Sequence, residues 1–137
     1  MPAAAPRPRA AHASPDLATR EAGQALLRTF FGIADAWRLA PREAMALLGL
    51  TSRSTFHVWK TGKSGALPRD TLERISYVLG IYKALQMLLP SDEAADAWIR
   101  KSNDAPLFGG RSALDRLLSG NVADLYEVRR YVDAQRG

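Results

Sequence analysis

Glycines and prolines cut this chain into segments, and within each segment the apolar residues recur three or four positions apart. Leu26, Phe30, Ile33 and Trp37 form one such series. No stretch alternates at the two-residue period of a half-buried strand, and no internal repeat is found. The expectation is an all-α fold.

The punctuation places the helices. Ser14-Pro15-Asp16 supplies an N-cap, an N1 proline and a first-turn acid, opening a helix over about 15–38. Pro41 opens a short one through Leu48, stopped by Gly49. A third covers about 52–61, with Gly62 as its C′ glycine. A fourth starts at Pro68 and ends before Pro90. Ser91-Asp92-Glu93 caps a fifth that holds Trp98 and Ile99, and Ser112 with Asp115 caps a sixth over 113–118. The seventh runs from about 122 to the end, with Leu125, Val128 and Val132 on one side.

The fourth helix carries two apolar stripes: Leu72, Ile75, Leu79 and Tyr82, then Val78, Ile81, Leu85 and Leu88. A helix apolar on two sides is packed on two sides. It is therefore expected to be a shared spine (68–90) between an N-terminal half (14–67) and a C-terminal half (91–137). Gly80 in its middle costs about 1 kcal/mol relative to Ala and marks a close approach.

Composition excludes whole classes of function. At 137 residues the chain is one domain, or two small ones sharing a core. With 47% hydrophobic and 24% charged residues it is globular, apart from an Ala/Pro/Arg-rich stretch, residues 1–13, expected to be a disordered tail. There is no cysteine for a disulfide, a zinc site or a thiol nucleophile. Two histidines, His12 and His57, cannot build a His-rich metal site. No catalytic constellation, metal set or cofactor fingerprint is present, so an enzyme is not expected. No apolar run approaches the roughly 20 residues of a membrane span, and the N-terminus has no apolar signal core. The expected location is the cytoplasm, with no membrane partner.

Charge is unevenly placed. Residues 1–70 hold ten Lys/Arg against five Asp/Glu, and residues 71–137 hold nine against nine. Arg53, Lys60, Lys63 and Arg69 fall in 51–69, where there is no acid. This is the footprint of a surface that meets a polyanion. The same region contains a short helix, a glycine turn and a second short helix, residues 44–60, which is a helix-turn-helix layout. Ala44, Leu47 and Leu48 are expected to pack against Phe56 and Trp59. Ser52, Arg53, Ser54 and His57 would then reach base edges in the major groove, Arg53 as a bidentate partner of guanine. Lys60 and Lys63 suit phosphates. His57 has no acidic partner nearby in sequence, which favours a recognition role over general-base catalysis. The turn Gly109-Gly110-Arg111-Ser112 resembles an anion nest but lacks a P-loop's spacing, so a cap-and-turn structure is the simpler reading.

The helix-turn-helix, the segment Arg69 to Leu85, Trp98 to Asn103, the run Pro106-Leu107-Phe108-Gly109-Gly110-Arg111-Ser112, and the ending Tyr126 to Asp133 together resemble the Xre/MbcA/ParS antitoxin family. Ala113 departs from a frequent proline at that point. The resemblance implies an Xre-like DNA-binding half and a small helical toxin-binding domain. It implies a RES-domain toxin as partner, an NAD⁺-consuming enzyme whose active-site cleft is covered. It also implies a homodimer that binds operator DNA and represses its own operon. Toxin-facing residues are expected in 103–137: Asn103, Phe108, Arg111, Arg129, Arg130, Tyr131, Asp133 and Arg136. The alternative is a stand-alone phage-type repressor whose second half only dimerises.

Overall fold

The computed structural model describes residues 19–137. Among these, seven α-helices are formed: α1 (Arg20–Ala36), α2 (Pro41–Leu48), α3 (Arg53–Lys60), α4 (Arg69–Leu88), α5 (Asp92–Ala97), α6 (Ala113–Leu117) and α7 (Val122–Gln135). A 3₁₀ turn, Trp98–Arg100, follows α5 directly. The only extended pairing among the described residues is an isolated bridge between Ser102 and Ser112. The fold is all-α.

Most boundaries follow local chemistry. Pro41 occupies the first turn of α2, and Glu43 Oε1 accepts from the Ala40 N–H at 2.7 Å. Ser52, Ser91 and Ser112 each accept from a backbone N–H three residues on, capping α3, α5 and α6. The first helix differs from expectation. Thr19 is extended and caps α1 by accepting from the Ala22 N–H, so the helix begins at Arg20. The tail (1–13) and the Ser14-Pro15-Asp16 cap lie outside the described residues. Its other end is also earlier, at Ala36, because Arg38 takes a left-handed conformation (φ 55) and Leu39 N–H returns to the Ala34 carbonyl. Trp98 and Ile99 fall in the 3₁₀ turn instead of the fifth helix, a common tightening at a helix end.

One hydrophobic core runs through the molecule. It takes Leu27, Phe30 and Trp37 from α1, Leu47 and Leu48 from α2, Ile75, Val78, Ile81 and Leu85 from α4, and Leu125, Val128 and Val132 from α7. α4 packs on α1, α2, α5 and α7, most extensively on α7. Its weak amphipathicity is thereby explained: a helix with neighbours from both ends of the chain has little solvent face to keep polar.

Three arginines tie the parts together. Arg74 on α4 is mostly buried, ion-paired to Asp70 at 2.8 Å, and its Nη1 donates to the Ala46 carbonyl near the end of α2. Arg100 reaches back across 63 positions to donate to the Trp37 carbonyl at 2.9 Å, and to the Arg38 carbonyl at 2.8 Å. It also lies 3.7 Å from Glu43, the residue that caps α2. Arg129 on α7 lies over Gly80, where any Cβ would overlap its guanidinium, and donates to the Ser76 carbonyl. Gly80 does mark a close approach, and its neighbour is this side chain.

Candidate functional site

α3 is held from the side of α1. Phe56 is its buried anchor, and that ring meets Phe31 edge-on at 5.6 Å between centroids. Phe31 in turn meets Phe30 at 5.4 Å. The loop after α3 is pinned to the same helix: Leu67 is buried against Gly23, and Gln24 donates to the Ser64 carbonyl at 2.8 Å. This corrects the expected packing of α2 on α3. α2 packs chiefly on α4, and between α2 and α3 lies an open groove of about 870 Å³. Its floor includes Met45, Leu50 and Phe56, and its rim Arg42, Arg53, His57 and Lys60.

The electrostatics of α3 are distinctive. Every other α-helix described has an acid in its first turn: Glu21, Glu43, Asp70, Asp92 with Glu93, Asp115 and Asp124. α3 has none and begins with Arg53. A cation at the positive end of a helix is unfavourable unless an external anion compensates. Ser52, Arg53, Ser54, His57, Lys60 and Lys63 are all exposed. Among the described residues, no ion pair involves Arg53, Lys60 or Lys63; the paired cations are Arg74, Arg100, Arg116, Arg129, Arg130 and Arg136. Ser52 and Ser54 are partly engaged with each other, their hydroxyls 3.0 Å apart. Arg42 was missed from the sequence. Its signal was available, since it too is a cation in a helix's first turn, beside the proline at N1.

The C-terminal candidates are divided among three places. Phe108 is buried, 5% exposed, its ring edge-on to Tyr131 at 5.1 Å and to Trp98 at 6.0 Å. It is thus a core plug of the loop, not a surface group, because an apolar ring in a glycine-rich loop gains most by burial. Asn103 is a loop organiser: its side chain accepts from the Ala105 N–H at 2.9 Å, and its backbone pairs with Arg111 and Gly110. The N–H groups of Gly109, Gly110 and Arg111 all bond to backbone carbonyls within this loop, which leaves no anion nest. Arg129, Asp133 and Arg136 form a chain of ion pairs on the α4-facing flank of α7. Tyr131 lies on the other flank, stacked with Trp98. Arg111, Arg130 and Arg136 are exposed.

Residues 16–80 match the family model of the antitoxin Xre-like helix-turn-helix domain, and residues 84–137 match that of the antitoxin Xre/MbcA/ParS C-terminal toxin-binding domain. The chain belongs to the Xre/MbcA/ParS antitoxin family. It is also 53% identical over 111 residues to the uncharacterized protein y4oB of Sinorhizobium fredii, spanning 81% of this chain and 84% of that one. No solved structure matches it. The antitoxin's groove and α3 fall in the first matched segment, and the loop with Asn103 and Arg111 falls in the second, along with α7. Neither matched domain is an enzymatic family. The junction between the two segments, residues 81–83, lies inside α4, so the antitoxin's two modules share a helix. No described helix is long and apolar enough to cross a membrane.

Proposed function

We propose that this antitoxin neutralises a RES-domain, NAD⁺-consuming toxin by covering its active-site cleft with the C-terminal module, and represses its own operon by placing α3 in the operator's major groove. The observation that carries the DNA half is the uncompensated positive end of α3, framed by Arg42, Arg53, His57 and Lys60. Duplex phosphates are the anion that such an end lacks. Two copies would read half-sites about 34 Å apart, as a homodimer on a two-fold operator. The toxin half is supported by the C-terminal match and by Arg111, Arg130 and Arg136, exposed residues of a type that anchors protein interfaces.

The test is co-expression with the neighbouring open reading frame while cellular NAD⁺ and growth are measured. The neighbour alone should deplete NAD⁺, and the antitoxin should restore it. A harmless neighbour would remove the toxin reading and leave a repressor. Because α7 gives Val128 and Val132 to the core, truncation would unfold the molecule. Combined Arg130→Glu and Arg136→Glu is the better probe, and unchanged protection by that variant would exclude the outer face of α7 from the interface.

A further inference from the structure

The recognition surface contains one residue that neither charge nor hydrogen bonding explains. Val58 is 43% exposed, one of three large apolar side chains exposed among the described residues, with Met87 and Tyr126. A β-branched residue on the solvated side of an eight-residue helix lowers helix propensity and gains no burial in return. Helical spacing places Val58 one turn beyond Ser54, next to His57 and three before Thr61, roughly opposite the anchor Phe56.

Its neighbours on that flank offer few free donors. The Thr61 hydroxyl donates to the Val58 carbonyl at 2.8 Å, so the remaining group of that side chain is a methyl. The Ser54 hydroxyl lies 3.0 Å from that of Ser52. The rim of the α2–α3 groove, with Arg53, His57 and Lys60, supplies the donors on the other flank. α3 therefore has a donor-rich flank and a methyl-rich one. On base edges in the major groove, the apolar group available to such a methyl-rich flank is the 5-methyl of thymine.

We propose that Val58 is a specificity-determining residue whose methyls, with that of Thr61, take the 5-methyl group of a thymine in each half-site. The inference rests on the reading that α3 enters the major groove, and it adds an apolar element to a surface otherwise recognised by its charge.

The test begins by selecting duplexes from a random library with the full-length chain. In the best duplex each thymine is then replaced singly by deoxyuridine, which removes only the methyl. One replacement per half-site should weaken wild-type binding about fourfold, the value of one buried methyl-sized group. Val58→Ala should bind the parent duplex about fourfold more weakly and be insensitive to deoxyuridine at that same thymine. Its salt dependence should match wild type, since no phosphate contact is lost. Val58→Ile should keep the thymine preference. Alanine is the better helix former at an exposed site, so the variant folds. Full wild-type sensitivity at every thymine in Val58→Ala would overturn the proposal. So would an equal loss on thymine and deoxyuridine duplexes, which would make Val58 a protein–protein contact. If no duplex is selected at all, the DNA-binding reading itself fails, an outcome distinct from either.

Discussion

Arg38 holds a backbone conformation that glycine adopts far more easily (φ 55). It ends α1, and its carbonyl is bonded to Arg100. Arg38→Gly keeps that carbonyl and removes the strain, so it should stabilise the fold by about 1 kcal/mol in chemical denaturation. Gly49 is the converse case. It is left-handed (φ 73), and a Cβ there would come within 2.7 Å of the Arg74 Nε, so the position excludes side chains twice over. Gly80 has ordinary helical geometry but lies under the Arg129 guanidinium. Gly80→Ala should gain about 1 kcal/mol of helix propensity in an Arg129→Ala background. In the native background it should gain less or nothing, because Arg129 must leave Ser76 and Asp133. A double-mutant cycle in urea reads the difference, and additivity would mean that Arg129 moves aside freely. Sequence made Gly49 and Gly80 legible, since glycine in a helical pattern signals a stop or a close approach. Arg38 carries no such signal: only the carbonyl bonds from a residue 62 positions away hold it there.

Among the elements, α3 and α7 show how far periodicity reaches. Both were placed correctly because capping and apolar spacing are local. Their partners were not local. The seat of α3 on α1 depends on Phe31 meeting Phe56, which nothing in the helix-turn-helix pattern specifies. In the same way, Phe108 was expected at a surface and is a core residue, because a loop's inward side has no period to read. For α3 the forecasts follow from charge. Lys60→Ala should weaken binding to all duplexes and reduce the slope of log K against log salt by about 1. Arg53→Ala should relax preference at one base position, by ~1–3 kcal/mol. Titrations of the selected and a scrambled duplex at several salt concentrations separate the two. Equal losses on both for Arg53→Ala would make it a phosphate contact. Arg42→Ala should behave like Lys60→Ala.

At the scale of the whole molecule the core has no seam. Leu27 and Phe30 belong to the same buried cluster as Leu125 and Val128. The matched segments for DNA and toxin binding meet inside α4, and Arg100 closes the circuit by bonding the corner between α1 and α2. Thermal unfolding should therefore be one transition, with equal calorimetric and van't Hoff enthalpies. Two resolved transitions would mean that the halves are independent. Arg100→Met should lower stability by about 1–2 kcal/mol, the loss of charged hydrogen bonds at a partly exposed site, and should shift that single transition without splitting it.

The bond from Arg100 to the α1–α2 corner also limits how such chains can recombine. A DNA-reading half joined to a foreign toxin-binding half inherits free carbonyls at Trp37 and Arg38 unless the new half brings a guanidinium to the same place. It must likewise bring a long side chain that fits over Gly80. Crossovers within α4 would then yield working hybrids only between parents that agree at these contacts. A change of promoter and a change of toxin would tend to be inherited together.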